Sequence, residues 1–185
     1  MHLGEYTDIE LLELLTTDKK NRAFRILFDR YHSFVLKKCK RLIKDTSDAE
    51  DLTQQVFLKL EKKYTSFEGK SSFKTWLYSI TYRECLVFMR DAKKITFKNV
   101  DLVELKEQYD YIDLEKDLDL EAQKNLDLLN HIDPLDKALL LMKYQDGMKL
   151  KLIAEALQLG ESNVKMRLKR AKARLLKLKS QSRKA

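Results

Sequence analysis

Apolar residues recur every three or four positions along most of this chain, and few residues in it would interrupt a helix. The stretch "RAFRILFDRYHSFVL" places Phe24, Leu27, Phe28, Tyr31 and Val35 at this spacing, which is typical of an amphipathic helix. The 185 residues include one proline and four glycines, the residues on which tight turns most depend. The sequence therefore predicts an all-α fold.

The distribution of charge divides the chain into three parts. Between Lys98 and Glu121 there are nine acidic residues and three lysines, and the first half of this segment has no sustained apolar stripe. The whole chain nevertheless has a formal net charge of +8, which suggests a polyanionic partner. We predict two helical domains, residues 1–95 and 122–185, joined by an acidic linker at residues 96–121.

Several local signals predict where helices begin. Thr7 with Glu10, and Ser47 with Glu50, fit the capping box, in which a Ser or Thr at the N-cap pairs with a Glu three residues later. Asp133 can cap a helix whose first residue is Pro134. That helix is expected to end at Asp146-Gly147. A short helix "KLKLIAEAL", a tight turn "QLG" and a long third helix would follow, which together make a helix-turn-helix.

The long third helix is strongly basic. After Glu161 the chain has ten basic residues and no acidic one. Leu168, Ala171, Leu175 and Leu178 fall within about 40° of Val164 on a helical wheel, so these five residues form a single packing stripe. In a helix-turn-helix, the second helix enters the DNA major groove with its N-terminal residues at the base edges, and basic residues further along hold phosphates. The candidate DNA contacts are Ser162, Asn163, Lys165, Met166, Arg167, Lys169, Arg170 and Arg174.

A plainer alternative is that this basic helix only closes a bundle and faces solvent. The helix-turn-helix spacing and the small polar first turn favour DNA binding. A similar choice exists for "DAEDLTQQVFLKLE" in the first domain. Its predicted packing face consists of Ala49, Leu52, Val56 and Leu60. The opposite face carries Phe57 and Leu58 among polar residues, so either another helix covers these two side chains or the face binds a protein.

Catalytic and metal-binding patterns were not found. His2, His32 and His131 are isolated and lack metal-ligand spacing, and the sequence has neither a Gly-rich phosphate loop nor a nucleophile elbow. We expect a protein that is not an enzyme and needs no cofactor or metal.

Cysteine usage and hydropathy indicate the compartment. Cys39 and Cys85 are not in CxxC spacing, and we interpret them as reduced core thiols. No apolar run approaches the ~20 residues of a membrane span, and the acidic start lacks a signal peptide's basic region. We expect a cytoplasmic protein that does not insert into a membrane.

The C-terminal region resembles a known family. "LDKALLLMKYQDGMKLKLIAEALQLGESNVKMRLKRAKARL" is similar to the domain of extracytoplasmic-function sigma factors that reads the promoter −35 element. The family pattern is an "IAE" helix, a short turn and "VKxRLxRAR". Residues 153–155 match its first part, and residues 164–172 match its second part except that Lys172 stands at the final Arg. The family often has glycine in the turn where this chain has Gln158, and Gly160 follows two residues later.

The N-terminal region resembles the same family. "SDAEDLTQQVFLKL" is similar to the segment that binds the clamp-helix coiled coil of the RNA polymerase beta-prime subunit. "FEGKSSFKTWLYSITYRECLVFMR" is similar to the helix that melts and reads the −10 element. The implied polymerase contacts are Asp51, Gln54, Gln55 and Phe57. The implied −10 contacts are Lys70, Lys74, Tyr78, Tyr82 and Arg83. We expect Trp76 in the core and the two tyrosines to be more open. Arg83 stands where the family usually has Asn.

The resemblance implies a transcription initiation factor that binds core RNA polymerase, including its beta-prime and beta subunits, and directs it to promoter DNA. An anti-sigma factor is a further candidate partner. The acidic linker would either enter the RNA path of the polymerase or act as a plain solvated spacer. Two alternatives to a sigma factor are a helix-turn-helix regulator that binds duplex DNA without polymerase and a helical RNA-binding protein.

Overall fold

The computed structural model describes residues 6–93 and 127–182, and in these ranges it contains helices and no strand, which confirms the all-α class. Contacts divide the chain into two compact units, Met1–Cys85 and Leu86–Ala185. The predicted linker at 96–121 lies outside the described residues. The α-helices in the described ranges are α1 (Asp8–Leu14), α2 (Lys20–Leu42), α3 (Thr46–Lys63), α4 (Phe73–Lys93), α5 (Pro134–Leu140), α6 (Leu150–Leu157) and α7 (Glu161–Ser182).

The starts of α1 and α3 show one correct and one wrong prediction of a capping box. At α1, Glu10 N donates to Thr7 Oγ1 at 3.3 Å and Thr7 N donates to Glu10 Oε2 at 2.7 Å, so this box is confirmed. At α3, Asp45 is the N-cap, and its Oδ1 accepts from Asp48 N at 3.0 Å. The box at Ser47 is therefore wrong. Asp is as strong an N-cap as Ser, and Asp45 begins the helix before Ser47 is reached.

The core of the first unit is formed by α2, α3 and α4. Leu27, Val35, Leu52 and Leu77 are among its fully buried side chains. The two cysteines lie here, both buried and both free, as predicted. Cys85 Sγ donates to Cys39 Sγ at 3.8 Å, and this hydrogen bond lowers the pKa of Cys39.

In the second unit, α5 begins with the predicted cap. Asp133 Oδ1 accepts from Leu135 N at 2.9 Å and from Asp136 N at 3.4 Å, and Pro134 is the first residue of α5. The helix then widens into one π-helical turn at Leu141–Gln145. It ends before Gly147, whose φ of 65° is one that glycine adopts without steric cost.

The turn between α6 and α7 spans residues 158–160. Gln158 ends α6 in the left-handed region, with φ 57° and ψ 43°, and is the one non-glycine residue with positive φ in the described part of the chain. Leu159 N donates to Ala154 O at 2.9 Å, which satisfies a terminal carbonyl of α6. The helix-turn-helix is thus present, and Gln158 occupies the position at which glycine would be easiest to accommodate.

Candidate nucleic-acid and protein interfaces

The packing face of α3 was predicted correctly. Its four predicted members, Ala49, Leu52, Val56 and Leu60, are all buried. Asp51, Gln54 and Gln55 are exposed. These three polar side chains therefore form a surface on which a second protein could dock.

Phe57 does not belong to that surface, which corrects the sequence prediction. It is 2% exposed, and its ring lies 4.7 Å from that of Phe28 and 6.5 Å from that of Phe24, both on α2. His32 adds a third ring at 6.3 Å. Leu58, one residue further and about 100° around the helix, is instead 56% exposed. Leu58 is therefore the large apolar side chain that α3 exposes to solvent.

The aromatic residues of α4 also differ from the prediction. Tyr78 and Tyr82 were expected to be open, but both are buried. Their rings lie 4.7 Å apart, and Tyr78 Oη donates to Tyr82 Oη at 3.2 Å. Burial raises the pKa of Tyr82 far above its ordinary value. Trp76, expected in the core, is half-buried, with its ring 5.5 Å from that of Phe67 and 5.9 Å from that of Phe73.

The predicted cations at and near α4 are placed differently from one another. Lys70 is exposed and forms an ion pair with Glu68 in the preceding loop. The Lys74 ammonium lies 4.9 Å from the centroid of the Phe34 ring, and Lys74 is exposed. Arg83 is half-buried and donates from Nε to a carbonyl of its own helix at 3.3 Å. Lys74 is therefore better placed than Arg83 to meet an external phosphate.

The packing stripe of α7 was also predicted correctly. Val164, Leu168, Ala171 and Leu175 are buried, and Leu178, the last member of the stripe, is half-buried. The first turn and outward face of α7 are open to solvent. The exposed residues there are Ser162, Asn163, Lys165, Met166 and Lys169. Arg170 is half-buried. A helix with polar N-terminal residues and basic residues beyond them has the arrangement that reads a major groove.

Arg167 was predicted to hold a phosphate, and the structure places it in an intramolecular ion pair instead. Its Nε donates to Asp136 Oδ1 at 2.9 Å, and its Nη2 contacts Asp133 Oδ1 at 3.0 Å. The two acids sit at the start of α5, against this flank of α7. Arg174 donates from Nη1 to Asp136 Oδ2 at 3.3 Å. Burial raises the pKa of Asp136, and the charge of Arg167 acts in the opposite direction.

Sequence comparison decides what this pair of units is. Residues 27–95 match the family Sigma-70 region 2, and residues 124–175 match Sigma-70, region 4. The ECF RNA polymerase sigma factor SigX of Bacillus subtilis is 27% identical over 148 residues, which cover 77% of this chain and 76% of SigX. SigW of the same organism is 27% identical over 164 residues, which cover 84% of this chain and 88% of SigW. The chain belongs to the extracytoplasmic-function sigma factors.

Solved structures with the same fold are similar over most of this sigma factor. CnrH, solved in complex with the cytosolic domain of CnrY, has a TM-score of 0.62 and 19% identity, and the match covers 94% of this chain and 96% of CnrH. The sigma factor RpoE of Bartonella quintana, solved with the anti-sigma factor NepR, has a TM-score of 0.60 and 24% identity. This match covers 85% of this chain and 96% of RpoE. At these identities the likeness establishes the fold.

As a member of this family, the protein is a transcription initiation factor that recognises promoters. The site residues chosen from the sequence did not include the exposed Leu58, the half-buried Trp76 or the buried Asp136, which pairs with two arginines of α7. The sequence shows that the side chains at positions 57 and 58 point about 100° apart on α3. It does not show which of the two is covered by α2. Asp136 stands three residues after the Asp133 cap, a place where an acid is ordinarily read as favourable to the helix dipole.

None of the helices in residues 6–93 and 127–182 is long and apolar enough to cross a membrane. In the same ranges, no three His, Cys, Asp or Glu side chains are grouped so that they could hold a metal ion.

Proposed function

We propose that residues 1–95 of this sigma factor bind core RNA polymerase and the −10 element, that residues 122–185 bind the −35 element, and that residues 96–121 link the two. The observation that carries this proposal is the second unit's helix-turn-helix, whose last helix exposes a polar first turn and a basic surface. The matches to sigma-70 regions 2 and 4 support the same order along the chain.

The polymerase-binding surface proposed for α3 consists of Asp51, Gln54, Gln55 and Leu58. Leu58 takes the place that the sequence suggested for Phe57, because Phe57 is covered by α2. An exposed apolar side chain surrounded by polar groups is a common centre for a protein interface. The partner is the clamp-helix coiled coil of the beta-prime subunit, and the beta subunit is a further contact of the bound factor.

For the −10 element, we propose that Lys70 and Lys74 hold phosphates of the separated strand, with Arg83 contributing less. Trp76 and Phe67 offer the partly exposed aromatic surface on which an unstacked base can lie. Stacking of this kind contributes roughly 1–3 kcal/mol per base. The buried pair Tyr78 and Tyr82 supports α4 from inside and does not take part.

For the −35 element, Ser162, Asn163 and Met166 are the proposed base readers, since they are exposed in or near the first turn of α7. Lys165 lies beside them and can contact a base or a phosphate. Further along α7, the proposed phosphate contacts are Lys169, Arg170 and Arg174. Arg167 is left out of this set because two carboxylates already bind it.

The remaining assignments follow from this role. A factor that positions polymerase on a promoter has no reaction of its own to catalyse, so we propose that the protein is not an enzyme. It would act in the cytoplasm, where polymerase and promoters meet. One solved relative, RpoE of Bartonella quintana, is a sigma factor bound to the anti-sigma factor NepR. An anti-sigma factor is accordingly proposed as a partner of this chain.

Titration of the labelled protein with core RNA polymerase tests the polymerase surface. Asp51→Lys should weaken binding at least tenfold, because it reverses a charge within the proposed interface. Asp18→Lys is the matched control, since it makes the same change at an exposed acid outside α3. Equal affinities for the two variants would show that α3 is not the contact. A helix-turn-helix regulator would bind duplex DNA with no gain from polymerase.

A further inference from the structure

Asp136 joins two arginines of α7 that lie two helical turns apart on the same flank. Arg167 contacts Asp136 Oδ1 through Nε at 2.9 Å and through Nη2 at 2.8 Å. Arg174 contacts Asp136 Oδ2 through Nη1 at 3.3 Å. One carboxylate on α5 therefore uses a different oxygen for each arginine of the helix proposed to enter the DNA groove.

Arg167 makes three contacts with carboxylates in this arrangement. Asp136 is 3% exposed, and a buried carboxylate is costly unless charged partners and hydrogen bonds compensate for it. Arg167 supplies two of these contacts and a third to Asp133, whose Oδ1 also caps α5. Releasing Arg167 to a phosphate would leave Asp136 with only the longer contact to Arg174, so Arg167 serves to seat α7 on α5.

Arg174 is only partly engaged. Its side chain is 59% exposed, against 25% for Arg167, and Asp136 is its one ion-pair partner in the described residues. A guanidinium has five N–H donors, so most of those on Arg174 can still meet a phosphate. A guanidinium already held in place loses less conformational freedom when it binds.

We propose that Asp136 is a positioning residue for promoter binding. One of its oxygens holds Arg167 in an ion pair that connects α5 and α7, and the other orients Arg174 towards a phosphate of the −35 element. This inference rests on the proposed docking of α7 in the major groove. It gives different roles to two arginines that the sequence analysis treated alike as DNA contacts. It also adds an acidic residue to an interface whose other proposed charged residues are basic.

The first experiment separates the two arginines. Holoenzyme binding to promoter DNA is measured at several salt concentrations for Arg167→Ala and Arg174→Ala. Loss of one phosphate contact lowers the slope of log K against log salt by about 0.9. Arg174→Ala should show this decrease, whereas Arg167→Ala should weaken binding with the slope unchanged. Equal decreases for both variants would overturn the division.

The second experiment tests Asp136 itself by a double-mutant cycle. Asp136→Asn keeps the shape of the side chain and removes its charge. Arg174→Ala should reduce promoter affinity by some factor in the unaltered protein and by a factor at least about three times smaller in the Asp136→Asn background. A difference of this size is within the coupling expected of contacting residues. Lys169→Ala, an exposed basic residue of the same helix, should cost the same in both backgrounds.

The control distinguishes positioning from a purely structural role. If Asp136→Asn only lowered the folded fraction, it would reduce binding of the Arg174 and Lys169 variants by the same factor, and the proposal would be overturned. If Asp136→Asn does not fold, the cycle uses Asp136→Glu, which displaces the carboxylate, with the same two outcomes. If Lys169→Ala, Arg174→Ala and Asn163→Ala all leave promoter binding unchanged, the proposed docking of α7 itself fails.

Discussion

The two helices that carry the proposed interfaces, α3 and α7, differ in what covers their flanks. Both bury a single aliphatic stripe, and in both the stripe lies where the spacing of apolar residues predicts it. On α3 the flank residue Phe57 is covered by aromatic rings of α2. On α7 the flank residue Arg167 is covered by two carboxylates, that of Asp136 on α5 and that of Asp133, the N-cap of α5. The periodicity of a helix thus locates its packing centre, while its neighbours decide which residues at the edge remain available to a partner.

The largest effect should come from the covered flank of α3. Phe57→Ala removes a ring that contacts three others, and large core truncations of this kind cost about 3–5 kcal/mol. Leu58→Ala, at an exposed neighbour, should change stability by no more than ~0.5 kcal/mol. Urea unfolding of both variants measures the difference. Similar losses for the two would remove the distinction between positions 57 and 58.

The exposed flank of α3 should matter for binding and not for stability. Leu58→Glu places a charge at the proposed centre of the polymerase interface, and we expect affinity for core polymerase to fall by about 2–4 kcal/mol, as at other interface hot spots. Thermal unfolding of the free protein should be nearly unchanged. Lys62→Glu, at an exposed position one turn further, is the control. An unaltered affinity for Leu58→Glu would exclude Leu58 from the contact.

The first turn of α7 should read sequence. Asn163→Ala is expected to change base preference at one or two −35 positions, with a cost of ~1–3 kcal/mol at the favoured base. Holoenzyme binding to a library randomised in the −35 element measures it. Lys169→Ala should weaken binding to all library members alike, because a phosphate contact carries no sequence information. A shift in preference for Lys169→Ala but not for Asn163→Ala would mean that α7 docks in another orientation.

The smallest effect should come from the turn that aligns α7. Gln158 has a positive φ, which costs an ordinary residue roughly 1–2 kcal/mol and glycine very little. Gln158→Gly should stabilise the second unit by about 0.5–1 kcal/mol, after the added freedom of the unfolded chain is counted. Glu155→Gly, inside α6, should instead destabilise it by about 1 kcal/mol. Differential scanning calorimetry can compare the two, and destabilisation by both would contradict the left-handed turn.

The features that the sequence predicted correctly depend on local rules. The Thr7 box, the Asp133 cap with Pro134 and the stripe from Val164 to Leu175 each involve residues within a few turns of one another. The wrong prediction at Ser47 arose where two acceptable caps compete within three residues. A local pattern is sufficient only when no neighbouring residue can serve the same purpose.

The features that were missed depend on contacts between distant segments. Tyr78 and Tyr82 lie on α4, and the sequence does not show that α2 reaches them: the Lys38 ammonium lies 5.2 Å from the centroid of the Tyr78 ring. The contact between Asp136 and Arg167 spans 31 positions, and that between Cys39 and Cys85 spans 46. Helical spacing carries no information about these pairs, since it describes each helix alone.

Transcription in vitro with purified core RNA polymerase tests the central claim most directly. Addition of this protein to core polymerase and a library of genomic fragments should produce transcripts from discrete start sites that share −10 and −35 elements. Asp51→Lys should abolish these transcripts, while Asp18→Lys should leave them intact. If the protein instead binds duplex DNA equally well with and without polymerase, and no new transcript appears, its two surfaces do not act as those of a sigma factor and the account is wrong.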